Sequence, residues 1–252
     1  MIRKIVFSVF LIVGMLWARD IIIVADYWMP FNGDDVANEG YMIEIAQAVF
    51  ADDSIQVQYR SLPWDKAIEK TRIGKYDGLI GAFKSDAPDF IFPSNDQGFG
   101  GNIFFALKNN SWRYTDTTSL SSIKIGVTKD YSYGETLDCY IRNHLNDSTR
   151  ISVGSGKWAV KDNLMKLLFG KVDAILDNSS VIEYNARLTD KTDNIQRVGV
   201  AEKPQSIYIA FSPAKSDGKQ LAEKLSKGMD RLRANGRLAN ILKKYGLTDW
   251  KQ

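Results

Sequence analysis

The chain has 252 residues, 33 basic and 30 acidic side chains, and a formal net charge of +3. This near balance excludes a basic surface for nucleic acid, so no nucleic-acid partner is expected. Cys139 is the only cysteine and His144 the only histidine, which excludes an intrachain disulfide and argues against a histidine-based catalytic centre or a zinc site. We therefore expect no metal, no cofactor and no catalytic residue.

The first eighteen residues have the pattern of a secretory signal peptide. Arg3 and Lys4 precede an apolar run at 5–17, which is too short to cross a bilayer as an ordinary helix. Ala18 suits a cleavage site, although Leu16 is larger than the small residue preferred there. We expect export to the periplasm, with an uncleaved anchor as the alternative.

The first half of the remaining chain alternates between apolar strands and amphipathic helices. Strands are predicted at 21–25, 56–59 and 77–83, and helices at 41–50 and from Trp64 to Gly74. This β-α-β-α-β order predicts a mostly parallel sheet with helices on its faces.

The second half repeats that order. Strands at 123–127, 151–153 and 172–176 alternate with helices at 135–145 and 158–169. In each half a helix ends at glycine and Lys-x-Asp leads into an apolar strand, as RIGKYDGLI and then as LFGKVDAIL. The repetition indicates two similarly built lobes.

The predicted fold class is α/β, with two α/β lobes joined by two crossing strands. The extended segments 102–109 and 205–213 are the expected crossings. They divide the chain after the signal peptide into lobe one, 19–107 plus 210–252, and lobe two, 108–209.

Ligands of open parallel sheets bind beyond the carboxyl ends of the strands. Those ends fall at 26–31, 82–89, 128–134 and 177–180, and Trp64 begins a helix beside them. These segments are rich in aromatic and small polar groups, which suits a small polar ligand held between the lobes.

From about residue 20 to 248 the chain resembles the family 3 periplasmic solute-binding proteins, the receptors of polar amino-acid ABC importers. The resemblance is carried, in family order, by DYWMPFNG, GYMIEIAQAVF, PWDKAIEKTRIGKYDGLIGAF, SLSSIKIGV, LFGKVDAIL and MDRLRANGRLANILKKYGL. It implies a monomer of the periplasmic-binding fold whose two lobes close on a small-molecule ligand. The partner it implies is a membrane ABC permease, or alternatively a separate sensor receptor.

Five candidate ligand-binding residues follow from the lobe-one loops, namely Asp26, Tyr27, Trp28, Phe31 and Trp64. The resemblance places the family's stacking aromatics at Trp28 and Trp64, where two rings could hold a planar or cationic group. The simpler alternative is that both rings only pack the lobe.

The end of the third strand departs from the family pattern. The family's backbone groups and hydroxyl fall on Gly81, Ala82 and Lys84, so lysine replaces a small hydroxyl residue. The arginine that grips the ligand's α-carboxylate, twelve residues after the strand aspartate, falls on Asp89 when counted from Asp77. A carboxylate there would repel the group that the arginine binds.

Lobe two also departs from the family. Its first loop matches at Asp130, Tyr131 and Ser132, but the family's ammonium-binding aspartate falls on Asn178, with Asp177 immediately before it. Neighbouring residues of an extended segment point in opposite directions, so Asp177 would substitute only if the loop shifted by one residue.

Both halves of the amino-acid clamp are therefore changed, and two ligand classes stay open. Lys84 could pair with an acidic ligand, or an acidic cleft could surround an amine between the two tryptophans, formed by Asp26, Asp86, Asp89 and Asp130. In the simpler alternative, Asp86 and Asp89 are turn or solvated residues and Lys84 lies at the surface.

The resulting hypothesis is a periplasmic receptor that closes on a small polar solute, an amino-acid-like compound, an amine or an organic acid, and delivers it to an ABC importer. One alternative is an exported sensor or chemoreceptor protein. The other is a dehydratase-like enzyme on the same fold, with Asp89 or Asp130 as the acid.

Overall fold

The computed structural model describes residues 19–251, so the predicted signal peptide at 1–18 lies outside the described residues. Within them the chain forms ten β-strands, which are β1 (Arg19–Ala25), β2 (Ile55–Ser61), β3 (Gly78–Ala82), β4 (Gly98–Gly100), β5 (Asn102–Leu107), β6 (Ile125–Thr128), β7 (Ile151–Gly154), β8 (Ala174–Asn178), β9 (Ile195–Val200) and β10 (Gln205–Phe211). The α-helices in the same residues are α1 (Tyr41–Phe50), α2 (Trp64–Arg72), α3 (Glu135–His144), α4 (Ala159–Leu168), α5 (Ser179–Leu188), α6 (Gly218–Ala234) and α7 (Arg237–Lys244).

The strands form two five-stranded sheets with the same internal plan. Their orders are β2-β1-β3-β10-β4 and β7-β6-β8-β5-β9. In each sheet the first three strands are parallel, the fourth pairs antiparallel with the third, and the fifth pairs antiparallel with the fourth. The predicted α/β fold with two similar lobes is confirmed, although only two of the four strand pairings in each sheet are parallel, where mostly parallel sheets were predicted. We call the first sheet with its helices lobe one and the second lobe two.

The chain passes between the lobes at two adjacent points. Sheet membership changes at Gly101, between β4 and β5, and again at 201–204, between β9 and β10. The segments predicted to cross, 102–109 and 205–213, instead contribute strands that lie within a single sheet, because β5 pairs with β8 and β9 and β10 pairs with β3 and β4. The crossings therefore lie a few residues before each predicted boundary.

The two connections lie so close together that a side chain does not fit between them. A Cβ atom on Gly101 would lie 2.7 Å from the carbonyl oxygen of Glu202 and 2.9 Å from the amide nitrogen of Pro204. A Cβ on Gly100 would lie 2.6 Å from Nδ2 of Asn178. Glycine is required here for close approach of the backbones rather than for an unusual φ angle.

The C-terminal helices complete lobe one. Helices α6 and α7 pack on α1, and Gly228 makes the closest approach, since a Cβ there would overlap the side chain of Val49. The hydroxyl of Tyr245 donates to Oε1 of Glu44 at 2.6 Å and accepts from the amide of Gly40 at 3.0 Å, which fixes the start of α1. No helix within residues 19–251 has both the length and the apolar character needed to cross a membrane.

Candidate functional site

The strand ends of the two lobes enclose two adjoining cavities. The outer chamber has a volume of about 380 Å³ and is lined from both lobes by Asp26, Tyr27, Met29, 61–64, 128–131, 155–161, Val181 and Asn185. The inner chamber has about 50 Å³ and is lined by Asp26, Trp28, Trp64, Ile80, Gly81, Phe83, Asp86, Asn102, Tyr131, Ser132 and Asp177. Asp26, Trp64 and Tyr131 line both chambers and mark the passage between them.

Trp28 forms one wall of the inner chamber and packs closely on two neighbours. It stacks on Phe31 with ring centroids 4.2 Å apart and planes inclined by 17°. A Cβ atom at Gly81 would lie 3.2 Å from its ring, and Gly81 has a φ of +82°. Phe31 is fully buried and lines neither chamber, so this candidate supports Trp28 rather than facing a ligand.

Among the described residues, polar contacts join the lobes at several points, including a hydrogen bond from Nη2 of Arg187 to the Tyr245 carbonyl at 2.8 Å. The hydroxyl of Tyr131 donates to Oδ2 of Asp26 at 2.6 Å, and Nε1 of Trp28 donates weakly to Oδ1 of Asp177 at 3.4 Å. At the outer edge, Nζ of Lys157 lies 2.6 Å from Oδ1 of Asp34. The structure is therefore a closed arrangement in which side chains of both lobes meet around the chambers.

Asp177, and not Asn178, faces the inner chamber. Its carboxylate accepts from the Oγ1 of Thr128 at 3.1 Å and from the Asn178 amide at 2.8 Å. Asn178 is fully buried on the opposite side of β8, where its Oδ1 accepts from the amide of Ser180 and caps α5. Asn178, predicted as a ligand residue, thus lines neither chamber, and Asp177 reaches the inner chamber without a shift of the loop.

The polar turn after β3 brings one aspartate inward and sends the other outward. The amide of Phe83 donates to Oδ2 of Asp86 at 2.9 Å, and Asp86 lines the inner chamber. Asp89 is exposed, lines neither chamber, and forms an ion pair with Arg72 at 2.8 Å. Asp89, predicted as a site residue, therefore lies outside both chambers, with its carboxylate bound by Arg72 at the end of α2.

Two further candidates near β3 also lie outside the chambers. Ala82 is fully buried within lobe one, in a cluster with Val24 and Leu79. Lys84 is exposed, with Nζ 5.2 Å from the centroid of the Tyr208 ring. Neither lines a chamber, so Lys84 supplies no cation for an acidic ligand in this closed arrangement.

The lobe-two loop at 128–134 contributes to both chambers. Asp130 lines the outer chamber, with a φ of 63° that places it in the left-handed region, and Tyr131 reaches the passage. Ser132 lines the inner chamber, although its hydroxyl donates to Oδ2 of Asp138 at 2.6 Å near the start of α3. These three candidates are thus brought together as predicted from the strand-end rule.

Burial raises the pKa of all three inner-chamber carboxyl groups. For Asp26, burial outweighs the hydrogen bond from Tyr131 and raises the pKa to about 7, with a further contribution from the charge of Asp177. For Asp177, burial outweighs hydrogen bonds from the Asn178 amide and other donors and raises the pKa to about 6. The pKa of Asp86 is raised to about 6, also chiefly by burial, partly offset by the Phe83 amide. Such shifts are typical of buried carboxyl groups that no cation compensates.

The loop after β7, which was not among the predicted site segments, closes the outer chamber. Nζ of Lys157 lies 5.2 Å from the ring centroid of Tyr27 and 4.8 Å from that of Trp158. The rings of Tyr27 and Trp158 meet edge to face at 5.0 Å. The same strand-end rule predicts this site, since GSGKW directly follows the predicted strand at 151–153.

No protein-family model and no curated protein matches the sequence. Solved structures do match. A histidine-bound substrate-binding protein of an ABC uptake transporter from Streptococcus pneumoniae has 15% identity and a TM-score of 0.71, covering 90% of this chain and 92% of its own. A histidine kinase sensor domain with similarity to periplasmic binding proteins has 19% identity and a TM-score of 0.69, covering 90% and 96%.

A third match is an ancestral amino-acid-binding protein described as a precursor of cyclohexadienyl dehydratase, with 17% identity and a TM-score of 0.67, covering 90% of this chain and 95% of its own. At these identities the likeness concerns the fold. The expected resemblance to type II periplasmic solute-binding proteins is confirmed at that level, and the chain has their two-lobed fold.

Proposed function

We propose that the protein is an exported receptor that encloses a small polar solute between its lobes. The observation that carries this proposal is the pair of adjoining chambers, whose walls are supplied by strand-end loops of both lobes. A volume of about 380 Å³ in the outer chamber is within the usual range for small-molecule sites. Export rests on the leader pattern at 1–18.

The mechanism is closure about the paired connections at Gly101 and 201–204. A ligand that contacts both lobes binds the closed state better than the open one and shifts the population towards it. Contacts such as that between Tyr131 and Asp26 form only when the lobes meet, so they contribute to the closed state alone.

The receptor delivers its ligand to a membrane ABC permease in this proposal. The histidine-bound transporter protein and the sensor domain described above have the same fold, so presentation of the closed state to a sensor is the second candidate. Co-purification from the native membrane, with a permease or with a sensor kinase, distinguishes the two. We propose no enzymatic activity; recovery of unchanged ligand after incubation is the expected result.

Thermal unfolding and small-angle scattering test the receptor function together. A panel of amines, amino acids and organic acids is expected to contain a compound that raises the melting temperature, because it binds only the native state, and reduces the radius of gyration. Trp64→Ala, which removes a wall of both chambers, is expected to abolish both responses. Phe169→Ala, at an exposed position outside the chambers, is the control and should keep them. If no compound in a broad panel changes either quantity, the proposal fails.

A further inference from the structure

The inner chamber has the charge, walls and size of a site for one organic cation. We propose, on the basis of the receptor function above, that the ligand places an ammonium group in the inner chamber and extends its carbon chain into the outer one. The ligand class is then amines that bear no carboxylate next to the ammonium group.

The charge of the inner chamber is the first argument. Asp26, Asp86 and Asp177 line it, and none of its lining residues is a lysine, arginine or histidine. Two of these carboxylates keep an oxygen available. Among the described residues, Oδ1 of Asp26 and Oδ1 of Asp86 accept no hydrogen bond from another residue, while the Oδ2 atoms are bound by Tyr131 and the Phe83 amide. Both side chains are partly buried, and an ammonium group would bring three donors and a positive charge to these oxygens.

The walls of the chamber favour the same group. Trp28 and Trp64 both line it, and the stack on Phe31 fixes the orientation of the Trp28 ring. Indole faces attract ammonium groups, including methylated ones, and they do so more strongly in a site from which water is excluded. An anionic ligand would gain nothing from these faces and would be repelled by the carboxylates.

The size of the chamber limits what enters. Its volume of about 50 Å³ is much smaller than the roughly 380 Å³ of the outer chamber, so most of a ligand that enters both chambers must lie in the outer one. A carboxylate bonded to the same carbon as the ammonium group would have to lie against Asp26 or Asp86. In the proposal the carbon chain passes Trp64 and Tyr131, which line both chambers. The outer chamber is lined by Lys129, Lys157 and Lys161, which suit an acceptor or anion at the far end of the ligand.

Matched ligands test the class by calorimetry and thermal unfolding. The panel contains n-alkylamines of two to six carbons, their ω-carboxylates, diamines, methylated amines, guanidines, the corresponding carboxylic acids and the α-amino acids of equal length. Members of the cation series with no adjacent carboxylate are expected to bind, and the matched acids and α-amino acids to bind at least on the order of tenfold more weakly. Tighter binding by an α-amino acid or an acid would overturn the ligand class and leave the receptor function standing. If no compound in the panel binds, both the ligand class and the receptor function are overturned.

Two variants three residues apart locate the site. Asp86→Asn keeps an acceptor for the Phe83 amide but removes the charge, and it should weaken amine binding on the order of tenfold or more, as expected for loss of a charge-assisted hydrogen bond. Asp89→Asn removes an equal charge outside the chambers and should leave the affinity unchanged. If both variants weaken amine binding equally, or if Asp86→Asn binds an amine as tightly as the parent protein does, the ammonium group does not lie in the inner chamber.

Discussion

Replacing Asp26 by asparagine should stabilise the ligand-free closed protein above neutral pH while weakening the binding of a cation. Asp26 lies in the passage between the chambers, where Tyr131 donates to its Oδ2 at 2.6 Å. Asparagine keeps an acceptor oxygen for that hydrogen bond and removes the charge. Closure and ligand affinity, which usually change in the same direction, should therefore change in opposite directions.

The magnitude follows from the raised pKa. Burial lifts the pKa of Asp26 from 3.8 to about 7, or roughly three units, each worth about 1.4 kcal/mol. An ionised Asp26 therefore costs the closed state up to about 4 kcal/mol at pH 8. Because the folded pKa is raised, the closed form binds more protons than an open or unfolded one between about pH 4 and 7, and its stability falls as pH rises through that window. Asp177 and Asp86, with pKa values raised to about 6, add to the same trend.

The assay compares Asp26→Asn with the parent protein at pH 5 and pH 8 without ligand. At pH 8 the variant should have a melting temperature several degrees higher, since about 1 kcal/mol shifts a chain of this size by about 2–4 °C, and a smaller radius of gyration. At pH 5, which is only about one unit above the ordinary pKa of 3.8, the same reasoning leaves a cost of about 1.7 kcal/mol, so the difference should fall to less than half of its value at pH 8. The control is Asp89→Asn, whose exposed pair with Arg72 should give no such pH dependence. A difference that is the same at both pH values, or a variant that is less compact at pH 8, would refute the reasoning.

Three further substitutions test the connections, the cleft and the core. Gly101→Ala places a Cβ against the neighbouring connection and should lower the free energy of unfolding by about 1–3 kcal/mol. It should also change the radius of gyration of the ligand-free protein, and an unchanged radius would argue against a hinge at Gly101. Trp28→Phe removes the 3.4 Å hydrogen bond to Asp177 and should lower the free energy of unfolding by no more than about 1 kcal/mol. It should also enlarge the radius of gyration of the ligand-free protein at pH 5, and a more compact variant would count against the cross-cleft contact. Gly228→Ala should cost about 1–3 kcal/mol through overlap with Val49 and leave ligand affinity intact; a loss of affinity would show that this core contact affects the site.

The sequence predicted the lobes because hydrophobic periodicity and helix-ending glycines report local structure directly. The segments with the strongest pattern, such as the strand at 21–25 and the helix at 41–50, are where the structure has β1 and α1. The crossings were predicted less well. An extended apolar segment such as 102–107 looks the same whether it joins two sheets or lies within one, and only its partners β8 and β9 decide the matter.

Side chains alternate between the two faces of β8, which explains why Asp177 rather than Asn178 lines the inner chamber. Counting from the family pattern selected Asn178, but position 178 serves as the cap of α5, and its side chain lies on the opposite side of β8 from Asp177. The helix needs an acceptor at its first amides, and asparagine is among the best residues for that role. A capping requirement at the strand–helix junction is readable from NSS in the sequence, and it would have assigned Asp177 to the chamber.

Local hydrogen bonding also explains why Asp86, rather than the predicted Asp89, lines the inner chamber. Counting residues from Asp77 treats the chain after β3 as a segment of fixed geometry, but two turns interrupt it. The amide of Asp86 donates to the Phe83 carbonyl while the Phe83 amide donates to the Asp86 carboxylate, which folds Asp86 back over the end of β3. A second turn, from Ala87 to Phe90, then directs Asp89 outward to Arg72. The first turn therefore places the carboxylate of Asp86 in the inner chamber, and the proposed repulsion of a carboxylate and attraction of an amine are assigned to Asp86 rather than to Asp89.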